Sequence, residues 1–148
     1  MSKIFKPDNF KISELVHPDT LAKYGEARCW EFLDPMLIRN LQWIREQLGK
    51  SIKVNDGGQF KNRGLDPKKA YGGYRTGMSQ HVFGRGIDFD VKGMTAVEVR
   101  EWLEENYQDL PEPNITLEYT LKGKPISWVH MDIRPRAEGD DGIRELHI

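Results

Sequence analysis

Apolar residues recur along this chain with two different periods. Between Pro35 and Gly49, Leu37, Leu41, Ile44 and Leu48 follow one another at intervals of four, three and four, the spacing of one helical face. Asp34 and Pro35 supply an N-cap acid and a proline at the first helical position, and Gly49 supplies the stop, so a helix is predicted between them. A second helix is predicted from Thr95, where Thr95-Ala96-Val97-Glu98 fits a capping box and Val99, Trp102, Leu103 and Tyr107 form the side to be buried. Elsewhere the period is two. Ser51–Asn55 reads as a strand, and Ile87, Phe89 and Val91 alternate with Asp88 and Asp90, which therefore share the opposite face. After Pro111 and Pro113, Ile115–Leu121 and Pro125–Ile133 read as two further strands joined by Lys122-Gly123-Lys124. Residues 1–33 are polar with scattered apolar anchors and are expected to wrap the core as short helices. Residues 135–148 form a charged tail with a turn at Gly139-Asp140-Asp141-Gly142, expected to be partly mobile. The predicted class is α+β: one domain over 1–148, with a small antiparallel sheet flanked by two main helices.

Composition narrows this picture. The chain has 148 residues, 38% of them apolar and 30% charged, enough for one core. No segment joins a basic start to a long apolar run, and none has the length to cross a bilayer. Synthesis in the cytoplasm without a signal peptide, no membrane insertion and a monomeric state are the expectations. The single cysteine, Cys29, cannot form an internal disulfide and is read as a small core residue. A net charge of -1 offers no basic footprint for nucleic acid.

Candidate chemistry concentrates in two stretches. His81 and Asp88 stand seven residues apart around Gly84 and Gly86, which let the chain turn tightly and enter the strand at Ile87. The apolar, β-branched run Trp128–Ile133 reads as a buried strand that delivers one imidazole, His130, to a fixed place. His81, Asp88 and His130 make a set of two histidines and one carboxylate, three ligands that leave a fourth tetrahedral position open. Such a set suits zinc, and it suits non-haem iron as well. Asp90 is either an outer partner of this set or a solvated acid, and His17 and His147 are read as surface histidines. There is no H-E-x-x-H and no paired C-x-x-C.

Ser79-x-His81-x-x-Gly84-x-Gly86-x-Asp88, followed by Trp128-Val129-His130-x-Asp132, resembles the signature of the zinc D-Ala-D-Ala carboxypeptidase and L-alanyl-D-glutamate peptidase family. That family includes bacteriophage endolysins and shares its fold with the Hedgehog signalling domain. The likeness runs from about Ile52 to Arg134, and it departs at Gly86, where alanine is usual, a change expected to cost little. The resemblance implies a Hedgehog/DD-peptidase-like fold, zinc held by His81, Asp88 and His130, and hydrolysis of a peptide bond in bacterial peptidoglycan. It also implies substrate contacts from Ser79 and from Arg63, the arginine in the loop after the strand at Ser51–Asn55. Lys68, Lys69, Arg75 and the run Tyr71-Gly72-Gly73-Tyr74 would form a substrate rim. Release from the cell would need a separate protein, and the near-neutral net charge gives no general attraction to an acidic wall.

Relatives often carry an acid three residues before the distal histidine, and here that residue is Ser127, which cannot act as a base at neutral pH. A three-residue turn at Lys122-Gly123-Lys124 would pair Leu121 with Pro125 and set Glu118 opposite Trp128, on the face of His130. A two-residue turn would set Glu118 opposite Ser127, on the other face. Glu118 is therefore the first candidate for the proton shuttle. Asp132 is the second, although it could instead orient an imidazole or bind Arg134. The alternatives to a peptidoglycan peptidase are a non-catalytic zinc-containing binding module and a carboxypeptidase or dipeptidase acting on small free peptides.

Overall fold

The structure is a computed structural model that describes residues 4–54, 80–81 and 84–148. Among the described residues, four α-helices and a small sheet make an α+β fold. The first two helices, α1 (Ile12–Leu15) and α2 (Pro18–Glu31), carry the N-terminal wrap, and α2 is kinked at Gly25. His17 is more than a surface residue, since its Nδ1 accepts the Asp19 amide at 3.0 Å and caps α2. Cys29 is fully buried in the core.

The two main helices form where their local signals stand. In α3 (Pro35–Leu48) the Asp34 carboxylate accepts the Met36 amide at 2.9 Å, and Gly49 ends the helix in the left-handed region. Leu37, Leu41 and Ile44 are fully buried along one side, joined by Ile38. In α4 (Ala96–Asn106) the Thr95 hydroxyl accepts the Glu98 amide at 3.1 Å, while Glu98 accepts the Thr95 amide at 3.0 Å. Thr95→Ala should therefore lower stability by about 1 kcal/mol. Urea denaturation of the two proteins would read this as a lower midpoint with an unchanged slope.

The sheet is built from β1 (Ile52–Val54), β2 (Gly86–Val91), β3 (Thr116–Leu121), β4 (Lys124–Pro125), β5 (Val129–Asp132) and β6 (Arg144–His147). β1 pairs with β2, β2 with β5, and β5 with β3, all antiparallel. β6 pairs with β3 in parallel along its other edge. The charged tail carries a strand that its sequence did not announce: its last residues complete the sheet. Arg136, only 6% exposed at its side chain, fastens the approach by donating to the carbonyls of Ile115 at 3.0 Å and Gly142 at 2.7 Å.

Period two sorts the sheet into an apolar and a polar face. Ile87, Phe89, Leu117, Val129 and Met131 are fully buried and join Leu37, Leu41, Ile44, Val99 and Leu103 in one core. Asp88, Glu118, His130 and Asp132 occupy the opposite positions of the same strands.

The turn between β3 and β4 has two residues, not three. Leu121 pairs with Lys124 and Thr120 with Pro125, and Lys122 and Gly123 take φ of 52° and 76°, as a primed hairpin turn requires. Continued without interruption, this register would aim Glu118 away from His130. Pairing resumes instead with Leu117 opposite Met131 and Thr116 opposite Asp132. Between these pairs four steps along β3 match seven along the returning strand, so three residues are inserted there. An odd insertion reverses the facing, and the resumed register brings Glu118 opposite His130. Arg100 of α4, itself 3% exposed, supports the insertion by donating to the carbonyls of Trp128 at 3.2 Å and Ile126 at 3.3 Å, groups that lie where the ladder is broken.

Candidate metal centre

Three separate pieces of chain bring the site together. His81 lies in a tight turn in which Gly84 donates to the His81 carbonyl at 3.1 Å and Arg85 to the Gln80 carbonyl at 3.0 Å. Gly84 takes φ of +70°, and its carbonyl accepts the Asp34 amide at 2.9 Å, which ties the turn to the start of α3. Gly86 does not share that conformation. It is already strand, and a Cβ there would stand 3.2 Å from Gln80 Cβ and 3.4 Å from Asp132 Cβ. Its smallness is thus used for close packing, and alanine would press on Gln80. Asp88 follows two residues later and is the cross-strand partner of His130.

His81, Asp88 and His130 are all buried, and their ligand atoms lie within 4.8 Å of one another, so the group could hold a metal ion. The hydrogen bonds assign the nitrogens. His81 Nδ1 stands 3.0 Å from the Gly86 carbonyl, which can only accept, so Nδ1 carries the proton and Nε2 carries the lone pair. That Nε2 is 3.7 Å from Asp88 Oδ1. His130 stands between two carboxylates, its Nε2 2.8 Å from Asp132 Oδ2 and its Nδ1 2.8 Å from Asp88 Oδ1. Each imidazole is held by one nitrogen and directs the other toward Asp88, the arrangement that orients histidines around metals. Atoms bound about 2.0–2.1 Å from a tetrahedral zinc stand roughly 3.3 Å apart, a value between the two distances to Asp88.

Electrostatics fits the same geometry. Burial alone would lower the His130 pKa, but its hydrogen bonds to Asp132 and Asp88, and the charges of Asp88 and Glu118, raise it to about 10. The position beside Nδ1 therefore favours a positive charge, which a bound cation supplies in place of a proton. Burial would raise the Asp132 pKa too. Arg134 and His130 hold it instead at about 2.

Asp132 both orients the imidazole and binds Arg134. Fully buried, it accepts from His130 Nε2 at 2.8 Å, from the Arg134 amide at 3.2 Å, and from Arg134 Nε at 2.7 Å and Nη2 at 2.5 Å. Glu118 reaches the same side of the ring, its Oε1 3.9 Å from His130 Nε2, and its side chain is 18% exposed. Asp90 is exposed on the polar face beyond Asp88. Ser127 is exposed within the three-residue insertion. Ser79 and Arg63, with Lys68, Lys69, Arg75 and Tyr71–Tyr74, lie outside the described residues. Arg100 was not singled out from the sequence, although its place between Val99 and Leu103 on a helix with buried spacing was a usable signal. No helix among the described residues is long and apolar enough to cross a membrane. Compared with known proteins, the chain matches no family model, no curated protein and no solved structure.

Proposed function

We propose that the protein is a zinc-dependent peptidase that hydrolyses a peptide bond in bacterial peptidoglycan, as an endolysin does. The observation that carries this reading is the convergence of His81 Nε2 and His130 Nδ1 on Asp88, with each ring's other nitrogen already held by an acceptor. Zinc held there would polarise a scissile carbonyl and lower the pKa of a water. The protein's own contribution is to hold the ligands rigidly and to move the proton. Glu118 is assigned the proton transfer, because it flanks His130 and keeps contact with solvent. Asp132 is assigned to positioning, because its four hydrogen bonds and full burial leave it no proton to exchange with substrate. The substrate class comes from the motif resemblance, as do the contacts proposed for Ser79 and Arg63.

Digestion of purified peptidoglycan by the zinc-loaded protein, beside a chelated sample, tests the reading. New peptide termini detected by mass spectrometry only in the presence of zinc would support it and identify the bond. Glu118→Gln should lower the rate of that cleavage by about 10²- to 10⁴-fold with the zinc content unchanged. Full activity in that variant would remove Glu118 from the scheme. A second reading, a zinc-containing binding module without turnover, is favoured by Ser127 at the position where relatives carry an acid. A chain that holds zinc and leaves peptidoglycan and free peptides intact would establish it. Cleavage confined to free di- and oligopeptides would point to the carboxypeptidase or dipeptidase alternative.

A further inference from the structure

We infer that Arg134 is a positioning residue of this centre: through the side chain of Asp132 it fixes the ring of His130 and so sets how tightly the ion is held. The inference rests on the metal-centre reading above. The two histidines differ in what holds their outer nitrogen. His81 Nδ1 meets the backbone carbonyl of Gly86 at 3.0 Å, an acceptor fixed by the strand. His130 Nε2 meets Asp132 Oδ2 at 2.8 Å, an oxygen at the end of a side chain that can rotate. With an ion on Nδ1, the one proton left to the His130 ring is on Nε2, so the direction in which Nδ1 points depends on where that carboxylate is kept.

The neighbours of Asp132 across the sheet do not keep it. Asp132 lies between Gly86 on β2 and Thr116 on β3. Gly86 has no side chain to offer, and the Thr116 hydroxyl is buried without a hydrogen-bond partner. Arg134 does keep it. Its Nε donates to Oδ1 at 2.7 Å and its Nη2 to Oδ2 at 2.5 Å, a two-point fork that fixes the plane of the carboxylate as well as its place. The Arg134 amide adds a third bond, to Oδ1 at 3.2 Å. Among the described residues, the carboxylate of Asp132 is thus held by Arg134 alone, apart from the His130 ring that it orients. Asp132 is fully buried, whereas Arg134 is 26% exposed at its side chain and can be replaced without opening the core.

The test is the zinc affinity of the full chain, measured by competition with a chromophoric chelator. Arg134→Gln should weaken binding by about 10-fold, the lower end of the range typical of losing an outer partner, because the Arg134 amide still bonds Asp132. Arg134→Lys keeps the charge without the fork and should not restore wild-type affinity. In an Asp132→Ala background, Arg134→Gln should weaken binding no further, as expected of two residues that act in one chain. The imidazole N–H spectrum of the zinc-loaded, isotope-labelled protein separates positioning from a general loss of stability. The His130 Nε2–H signal should shift in Arg134→Gln, while His81 Nδ1–H, held by Gly86, stays in place. A folded Arg134→Gln with wild-type zinc affinity overturns the inference, as does an effect of Arg134→Gln that persists without Asp132. If Arg134→Gln does not fold, the lysine variant decides: weakened binding supports the fork, and wild-type affinity overturns it. Wild type that binds no zinc would instead sink the metal-centre reading itself.

Discussion

Asp88→Asn should lower zinc affinity by more than about a hundredfold, beyond the 10- to 100-fold typical of losing an outer hydrogen-bond partner. Asp88 is the shared point of the site. Its Oδ1 is the atom toward which both His81 Nε2 and His130 Nδ1 are directed, and it is the only carboxylate of the three proposed ligands. Asparagine preserves the shape but removes the charge, and half of its polar end becomes a donor that cannot ligate. A competition titration with a chromophoric chelator measures the change directly. Stability offers an independent readout, because an ion that binds only the folded chain stabilises it by about 2.7 kcal/mol at a free concentration one hundred times Kd. Zinc should therefore raise the denaturation midpoint of wild type and leave that of Asp88→Asn in place. Equal affinity in the two proteins would show that the histidines bind without Asp88 and that the ligand set is wrong.

The parts of the fold that were legible in the sequence are those whose causes are local. Asp34, Pro35 and Gly49 bound α3, and Thr95 with Glu98 opens α4, because a cap acts on amides two or three residues away. Alternation around Asp88 and His130 likewise gave the faces of β2 and β5, since strand facing has a period of two wherever the pairing lies. The site was legible for a related reason: all three proposed ligands sit on or beside those two strands. The relation of Glu118 to His130 was harder to read. It depends on the turn length and on the three inserted residues, and Ile126-Ser127-Trp128 carries no glycine or proline to announce a break. The partner that satisfies that break, Arg100, lies 26 and 28 residues away in sequence. β6 was missed for the same physical reason, because Arg144-Glu145-Leu146-His147 gains its strand character from pairing with β3 and not from its own apolar pattern.

Gly84→Ala should destabilise the protein by about 3 kcal/mol or more, the largest stability loss expected from a single methyl in the described residues. The cost has two sources. At φ of +70° the backbone is left-handed, and a side chain there costs roughly 1–2 kcal/mol on its own. In addition, the new Cβ would fall on the backbone carbonyl of Phe32, with the Phe32 carbon at 3.1 Å and Leu33 Cα at 3.2 Å, and none of these can swing aside as a flexible side chain would. Relief requires the turn to move away from the link between α2 and α3, which strains the Asp34–Gly84 hydrogen bond and carries His81 with it. The variant should therefore lose zinc affinity as well as stability, although no proposed ligand is changed. Urea denaturation of the zinc-free chains gives the first quantity, and zinc titration well below the unfolding midpoint gives the second. A stability loss with wild-type zinc affinity would mean that His81 keeps its place through Gly86 alone, and that the contact with α3 serves only the fold.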